Sequence, residues 1–356
     1  MQQKQTQWRR LRRATLISHA HQRRIPPAPP GRVEPQSAEL RRQAELEQDL
    51  QLARDLQQGL LLEAVPRLPG WEISAVSLPA RDLGGDLYDF LKFGDGLQGI
   101  MIGDVSGKGL PAALRMAVAR TVFRHEARRN TPPATTLAAV NRAVISEIPQ
   151  GMITMLYAVL EPRLGRLHFA NAGHLYPVLI NGQVSELELS GLPLGVDDES
   201  DYGEASTILH PGDTVLLYTD GIIEAANAAD EIYGYERLEH LLATTSPKPR
   251  ALVAALLAEL RSWSLAAQTD DITMVVVRRR LTDVGAELRS VADDVLGAER
   301  AAELWQVLPL PAASAPADTW RQHLAALISA AQSRFGRGLA RELNGQLRLA
   351  LEEYRS

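Results

Sequence analysis

The stretch Val178–Leu189, VLINGQVSELEL, decides the fold class. Two short runs rich in aliphatic residues, Val178–Ile180 and Val184–Leu189, flank Asn181-Gly182, a pair that favours the type I′ turn of a β-hairpin. Strands joined by so short a connection are antiparallel, so at least part of the sheet departs from a wholly parallel architecture. Working outward, further strand-like runs occur at Ile73–Leu78, Leu87–Phe93, Gly99–Ile102, Leu156–Leu160, Leu167–Ala170, Thr214–Tyr218 and Ile272–Val277. Helical patterns interrupt them at Pro111–Arg128, Pro133–Ile148, Tyr235–Leu242 and Arg250–Trp263. Strands broken by paired helices point to an α+β layered domain rather than a doubly wound parallel sheet.

Around that domain the composition changes. Residues 1–36 carry Arg9, Arg10, Arg12, Arg13, Arg23 and Arg24 and then a Pro-rich stretch, the pattern of a mobile basic arm. A helix is expected over Ser37–Leu62, within a linker spanning 37–66, with Leu46, Leu50, Ala53 and Leu60 at helical spacing and Gly59 and Pro66 bounding it. Gln57 interrupts its apolar seam, so a homodimer through this helix stands against packing on its own domain. Residues 67–280 form the expected main domain, and 281–356 a helical appendix broken by the Pro- and Ala-rich Leu308–Ala317. The chain of 356 residues has net charge −5, no cysteine, no apolar run long enough to span a bilayer and no secretory signal pattern. No global attraction to nucleic acid is expected, and a cytoplasmic, reducing setting is.

Four acidic stations end or begin apolar runs beside glycine or a second aspartate: GGDLYDF (84–90), GDVSGKG (103–109), YTDGIIE (218–224) and TDDITMVVV (269–277). Each alone reads as a turn whose carboxylate bonds nearby backbone N–H groups. Together they place Asp86, Asp104, Asp220 and the pair Asp270/Asp271 where one sheet edge would gather them. Crowded carboxylates repel and resist ionisation, which divalent cations reverse, and an oxygen-only donor set suits Mg²⁺ or Mn²⁺.

These stations, with NAGH (171–174) and Leu-Pro-Leu-Gly (192–195), resemble in order and context the SpoIIE-like, RsbU-like branch of the PPM metal-dependent serine/threonine phosphatases. The resemblance covers roughly residues 50–278, including LARDLQQGLL of the preceding helix. It implies a sandwich of two mainly antiparallel sheets flanked by helices, with two divalent ions, Mn²⁺ or Mg²⁺, activating a water, and no protein nucleophile. By motif position Asp86 bridges both ions, Asp104 and the Val105 carbonyl lie at the partner station, and Asp220 and Asp270 serve the second ion. Asp271 is either a ligand or a support acting through hydrogen bonds. Arg81 resembles a phosphate-binding arginine, against the plain reading of a surface arginine at a strand end. Ser106 stands where animal and plant relatives have a histidine, leaving the leaving-group acid unassigned.

The resemblance further implies a phosphoserine or phosphothreonine substrate on a phosphorylated, STAS-type anti-sigma factor antagonist. A catalytically silent binding scaffold and a small-phosphoester hydrolase are the rival readings. Lys108 lacks the glycine spacing of a phosphate-binding loop, so nucleotide binding there is rejected. His174 reads as a structural histidine closing a turn. The tail Leu343–Ser356 faintly resembles the first helix of ATP-binding anti-sigma kinases but lacks the expected asparagine, so docking or dimerisation is expected of it instead.

Overall fold

The central strands are apolar at successive positions because both of their faces are covered. A computed structural model describes residues 35–61, 65–94, 96–129, 132–148, 151–264, 268–280, 283–312 and 315–352. Of the basic arm, all but Pro35 and Gln36 lies outside them. The chain divides into two compact units, Met1–Asp49 and Leu50–Ser356. In the first, the described residues are helical and belong to α1 (Pro35–Leu61), which continues into the second. Gly59 does not bound that helix, because it faces open space and costs only its own backbone entropy.

Two five-stranded sheets form the second unit's sandwich. One has the order β1 (Trp71–Leu78), β10 (Ile272–Arg279), β9 (Thr214–Tyr218), β6 (Val178–Ile180), β7 (Val184–Glu186). The other runs β2 (Leu87–Lys92), β3 (Gln98–Val105), β4 (Ile153–Glu161), β5 (Arg166–Ala172), β8 (Ala205–Ile208). Every named pair is antiparallel, as the hairpin stretch implies. The hairpin's turn is nonetheless not type I′. Ile180 pairs with Val184 across three residues, Gly182 has φ +91°, and Asn181 is not left-handed, as type I′ would require.

Alternation along each strand assigns the layers. Ile100 and Ile102 of β3, Leu156 and Ala158 of β4, and Val275 and Val277 of β10 fill the space between the sheets. Met101, Met155 and Tyr157 face the helices α2 (Leu110–Ala127) and α3 (Pro133–Glu147) on one outer side. Met274 and Val276 face α4 (Gly234–Thr244) and α5 (Pro249–Trp263) on the other. Strand β8 escapes sequence detection because it is a short edge strand paired only with β5, so its alternate residues stay exposed.

Beyond Arg280, helices α6 (Val284–Leu296), α7 (Ala298–Val307), α8 (Ala317–Phe335) and α9 (Arg337–Glu352) share an apolar cluster of their own around Leu288, Leu304, Leu327 and Leu343. Charged bonds tie it to the sandwich. Arg280 meets Glu287 at 2.6 Å with both side chains buried, and Lys248 meets Asp294 at 3.2 Å. No helix among the described residues is long and apolar enough to cross a membrane.

Candidate metal centre

Both sheets deliver acids to the same end of the sandwich. Asp86 directly precedes β2, whose first residue Leu87 pairs with Gly103, so Asp86 and Asp104 stand side by side at the end of one sheet. Asp220 follows β9 and Asp270 and Asp271 precede β10 at the corresponding end of the other. Thr219 crosses between them: its hydroxyl donates to Asp86 Oδ2 at 2.7 Å, and it accepts from the Thr273 N–H at 3.0 Å.

Glycine permits the close approach. A Cβ at Gly85 would lie 2.8 Å from the Val105 carbonyl oxygen and 3.4 Å from Asp104 Oδ1. A Cβ at Gly221 would lie 1.9 Å from the Asp271 carbonyl oxygen, so no larger residue fits beside Asp220 without moving the β10 entry.

The electrostatics are those of uncompensated acids. Burial first, then the charge of Asp104, pushes the Asp86 carboxyl well above its ordinary range, although Thr273 and Thr219 hydrogen bonds oppose the shift. Burial and the charges of Asp220, Asp270 and Asp271 raise Asp104 to about 7. Asp220 is raised by burial, Glu224 and Asp270, against the Gly221 N–H and Lys108. Asp89 of the same first station is the contrast: Arg120 at 3.1 Å and Arg124 at 3.4 Å neutralise it.

Two neighbouring aspartates of the fourth station behave differently. Asp271 is buried, and its Oδ2 accepts the Gly85 N–H at 2.6 Å while Oδ1 accepts the Ala80 N–H at 2.7 Å. Those bonds fix the loop that carries Asp86. Asp270 is half-buried and pairs with Lys108 Nζ at 2.7 Å, and Lys108 also donates to the Thr269 carbonyl at 2.7 Å. Lys108 is therefore a charge partner of the fourth station, a role that its sequence motif does not announce.

The donor set is oxygen-only, and the gap that Gly85 leaves beside Val105 and Asp104 is a space that a side chain would fill. Both features, with mutual repulsion, fit divalent cations of the Mg²⁺ or Mn²⁺ kind. Among the described residues, no three acidic or histidine side chains are already drawn tightly enough to close on one ion.

Arg81 is exposed and makes no hydrogen bond or ion pair among the described residues. Ser106 is engaged with the residue that precedes β4: its hydroxyl accepts the Met152 N–H at 3.1 Å. His174 closes a turn in which Asn171 accepts its N–H and donates to its carbonyl, both at 2.8 Å. Its Nδ1 lies 2.9 Å from Thr154 Oγ1, and burial lowers the ring to about 4. Gln57 breaks the helix seam for a structural reason: it grips the Gly84 backbone, Nε2 donating at 2.7 Å and Oε1 accepting at 3.2 Å. Arg54 adds an ion pair to Asp82.

The Stage II sporulation protein E (SpoIIE) family model matches residues 94–280. The Bacillus subtilis phosphoserine phosphatase RsbU is 31% identical over 247 residues, covering 67% of this chain and 72% of that protein. The solved RsbU and RsbW domains of a Mycobacterium tuberculosis protein are similar with TM-score 0.54 and 26% identity, covering 78% of this chain and 81% of that one. The SiaA-PP2C domain of Pseudomonas aeruginosa shares the fold at TM-score 0.60 and 24% identity, covering 66% of this chain and 98% of that one. Two antiparallel sheets flanked by helices are the fold shared with the SiaA-PP2C domain, and the family match and the RsbU relative make the chain a serine/threonine protein phosphatase of the PPM class. The chain belongs to the SpoIIE family within that class.

Proposed function

We propose that this protein hydrolyses phosphoserine or phosphothreonine on a phosphorylated, STAS-type anti-sigma factor antagonist, using two divalent cations. The supporting observation is the juxtaposition of Asp86, Asp104 and Asp220, whose carboxyls are all raised by burial and by one another's or adjacent charges. Asp86, Asp104, the Val105 carbonyl, Asp220 and Asp270 are the groups that would hold the ions. Bound there, divalent ions supply a water of lowered pKa and charge to stabilise the phosphoryl oxygens. Asp271 holds the Asp86 loop through the Gly85 and Ala80 N–H groups. Thr219 orients Asp86, and Lys108 neutralises Asp270 until the site closes. Phosphate needs a second cationic grip, which Arg81, exposed on the loop before Asp86, would provide by swinging inward.

The phosphoserine substrate is supported by the Bacillus subtilis relative named phosphoserine phosphatase RsbU, and the antagonist as target, with sigma-factor regulation, is what the resemblance to the RsbU-like branch implies. A homodimer through α1 has support in the exposed Leu52, Leu56 and Leu60, which leave an apolar stripe along it. The deciding experiment is phosphate release from phosphorylated antagonist candidates, with Mn²⁺ or Mg²⁺ and with chelator, beside p-nitrophenyl phosphate. Metal-dependent release from an antagonist is expected. Release from the small ester alone would leave a phosphoester hydrolase, and release from neither would leave a binding scaffold.

A further inference from the structure

A cavity of about 170 Å³ opens beside the acidic centre and shares Gly221 and Asp270 with it. Leu257 and Leu260 of α5 and Ile272 of β10 supply its apolar wall, and Arg261 stands at its rim. An apolar cavity of about 150 Å³ accommodates a benzene ring, so this one has room for a single branched or aromatic side chain but none for a helix or a nucleotide. Asp270 and Gly221 of its lining belong also to the acidic centre. A phosphate drawn to that centre therefore carries the adjoining residues of its peptide across the opening, because one residue of extended chain spans about 3.3–3.6 Å.

We infer that this cavity is a specificity pocket for an apolar side chain within two residues of the phosphorylated serine or threonine. The assignment rests on the phosphatase reading above. It makes the enzyme select targets by sequence as well as by phosphate. The exposed Arg261, which forms no ion pair among the described residues, disfavours a lysine or arginine at the same substrate position.

The test uses the full chain with Mn²⁺ and synthetic phosphoserine peptides bearing Leu, Ala or Lys at each of the two positions on either side. At one position kcat/KM for Leu is expected to exceed that for Ala about tenfold, the scale on which hydrophobic pockets discriminate, with Lys below Ala. In Leu257→Trp, whose indole fills the cavity, the Leu-to-Ala ratio is expected to fall to about one. In Leu257→Ala, whose cavity is wider, kcat/KM for an added Phe peptide is expected to rise relative to that for Leu. Arg261→Glu, altered only at an exposed rim, is expected to reverse the order of Lys and Ala, and it decides the matter if Leu257→Trp does not fold. Equal rates for all peptides in the wild type, or an unchanged ratio in every variant that folds, would overturn the pocket while leaving the phosphatase reading intact. No phosphate release from any peptide or from p-nitrophenyl phosphate would overturn both.

Discussion

The two ends of the β1/β10 strand pair treat buried charge in opposite ways. At the Leu78/Ile272 end stand Asp270, Asp271 and, nearby, Asp86, Asp104 and Asp220, with Lys108 the cation paired to Asp270. At the Trp71/Arg279 end three acids have cationic partners: Glu287 meets Arg280, Asp294 meets Lys248, and Glu72 meets Arg278 at 3.5 Å. Burial still pushes Glu72 and Asp294 upward, but Arg280 and Lys248 respectively pull them back. One end thus bonds α6 and α9 to the sandwich. The other keeps its acids in mutual repulsion, which costs stability and is reasonable only where charge is to be supplied from outside.

The largest expected effect separates the ends by activity. Asp220→Asn should lower turnover by about 10²–10³-fold or more, the scale of losing one charge-stabilising group in a reaction centre. Without metal its melting temperature should hold or rise, because Glu224 and Asp270 lose a repelling neighbour. A fall of several degrees would mean that the acidic end is structural after all.

Next comes the compensated end. Glu287→Ala leaves the Arg280 guanidinium buried without its charge partner, which should cost about 3–5 kcal/mol in chemical denaturation. The Arg280→Met, Glu287→Leu double variant should recover most of that, since a well-packed apolar pair often replaces a buried ion pair at little cost. Loss in the double variant equal to that in the single would show that the hydrogen bonds of Arg280 to the Trp71 carbonyl and to Gln346 matter more than the pair itself.

The acidic end should also give itself away by pH. Asp104 is raised to about 7, so between its unfolded value near 4 and that pH the folded chain binds more protons than the unfolded one. Stability from this group is full below about pH 4 and lost as pH rises through 7. Chelator-treated protein should therefore be less stable at pH 7.5 than at pH 6.8 by about 0.4 kcal/mol, roughly one degree in melting temperature, and Mn²⁺ should restore most at the higher pH. A metal-free melting temperature that rises across this interval would contradict the crowding of carboxylates.

The sandwich was readable because its strands are covered on both faces and so appear as apolar blocks, and the hairpin at Asn181-Gly182 supplied the direction of pairing. Its turn type was not readable, since Asn181 keeps an ordinary φ and Gly182 alone takes the left-handed region. The acids announced themselves through glycine: Gly85 and Gly221 stand where the backbone must pass close to Val105 and Asp271. What remained hidden depends on contacts far apart in sequence. Gln57 appears as a flaw in a helix until Gly84 is placed beside it, and Lys108 appears as a misfitted loop lysine until Asp270 arrives. Nothing in GKG or in QQG encodes those partners.

His174 offers the smallest and most selective way to sharpen the contrast, because it lies near the acidic end yet titrates with the opposite sign. Fully buried, its ring is lowered to about 4 by desolvation, only partly offset by the Tyr218 carbonyl, and Nε2 has no hydrogen-bond partner in acceptable geometry. The unfolded chain then binds more protons between about pH 6.5 and 4, so stability from this group is complete above 6.5 and lost as pH falls toward 4. At pH 5.5 the loss is roughly 1 kcal/mol. His174→Asn cannot protonate there, and whatever it costs at pH 7.5 through the Thr154 contact, it should cost less at pH 5.5 by about that amount. Denaturation of the metal-free protein at the two pH values, with Asp104→Asn as companion, separates the two slopes. The two slopes oppose each other over the same span below neutrality, so the histidine variant should make stability fall more steeply as pH rises there and the aspartate variant should make it rise. If His174→Asn left the acid side unchanged, the ring would have to be solvated in solution, and the inner wall that Thr154 and Tyr218 build beside the acids would not be closed.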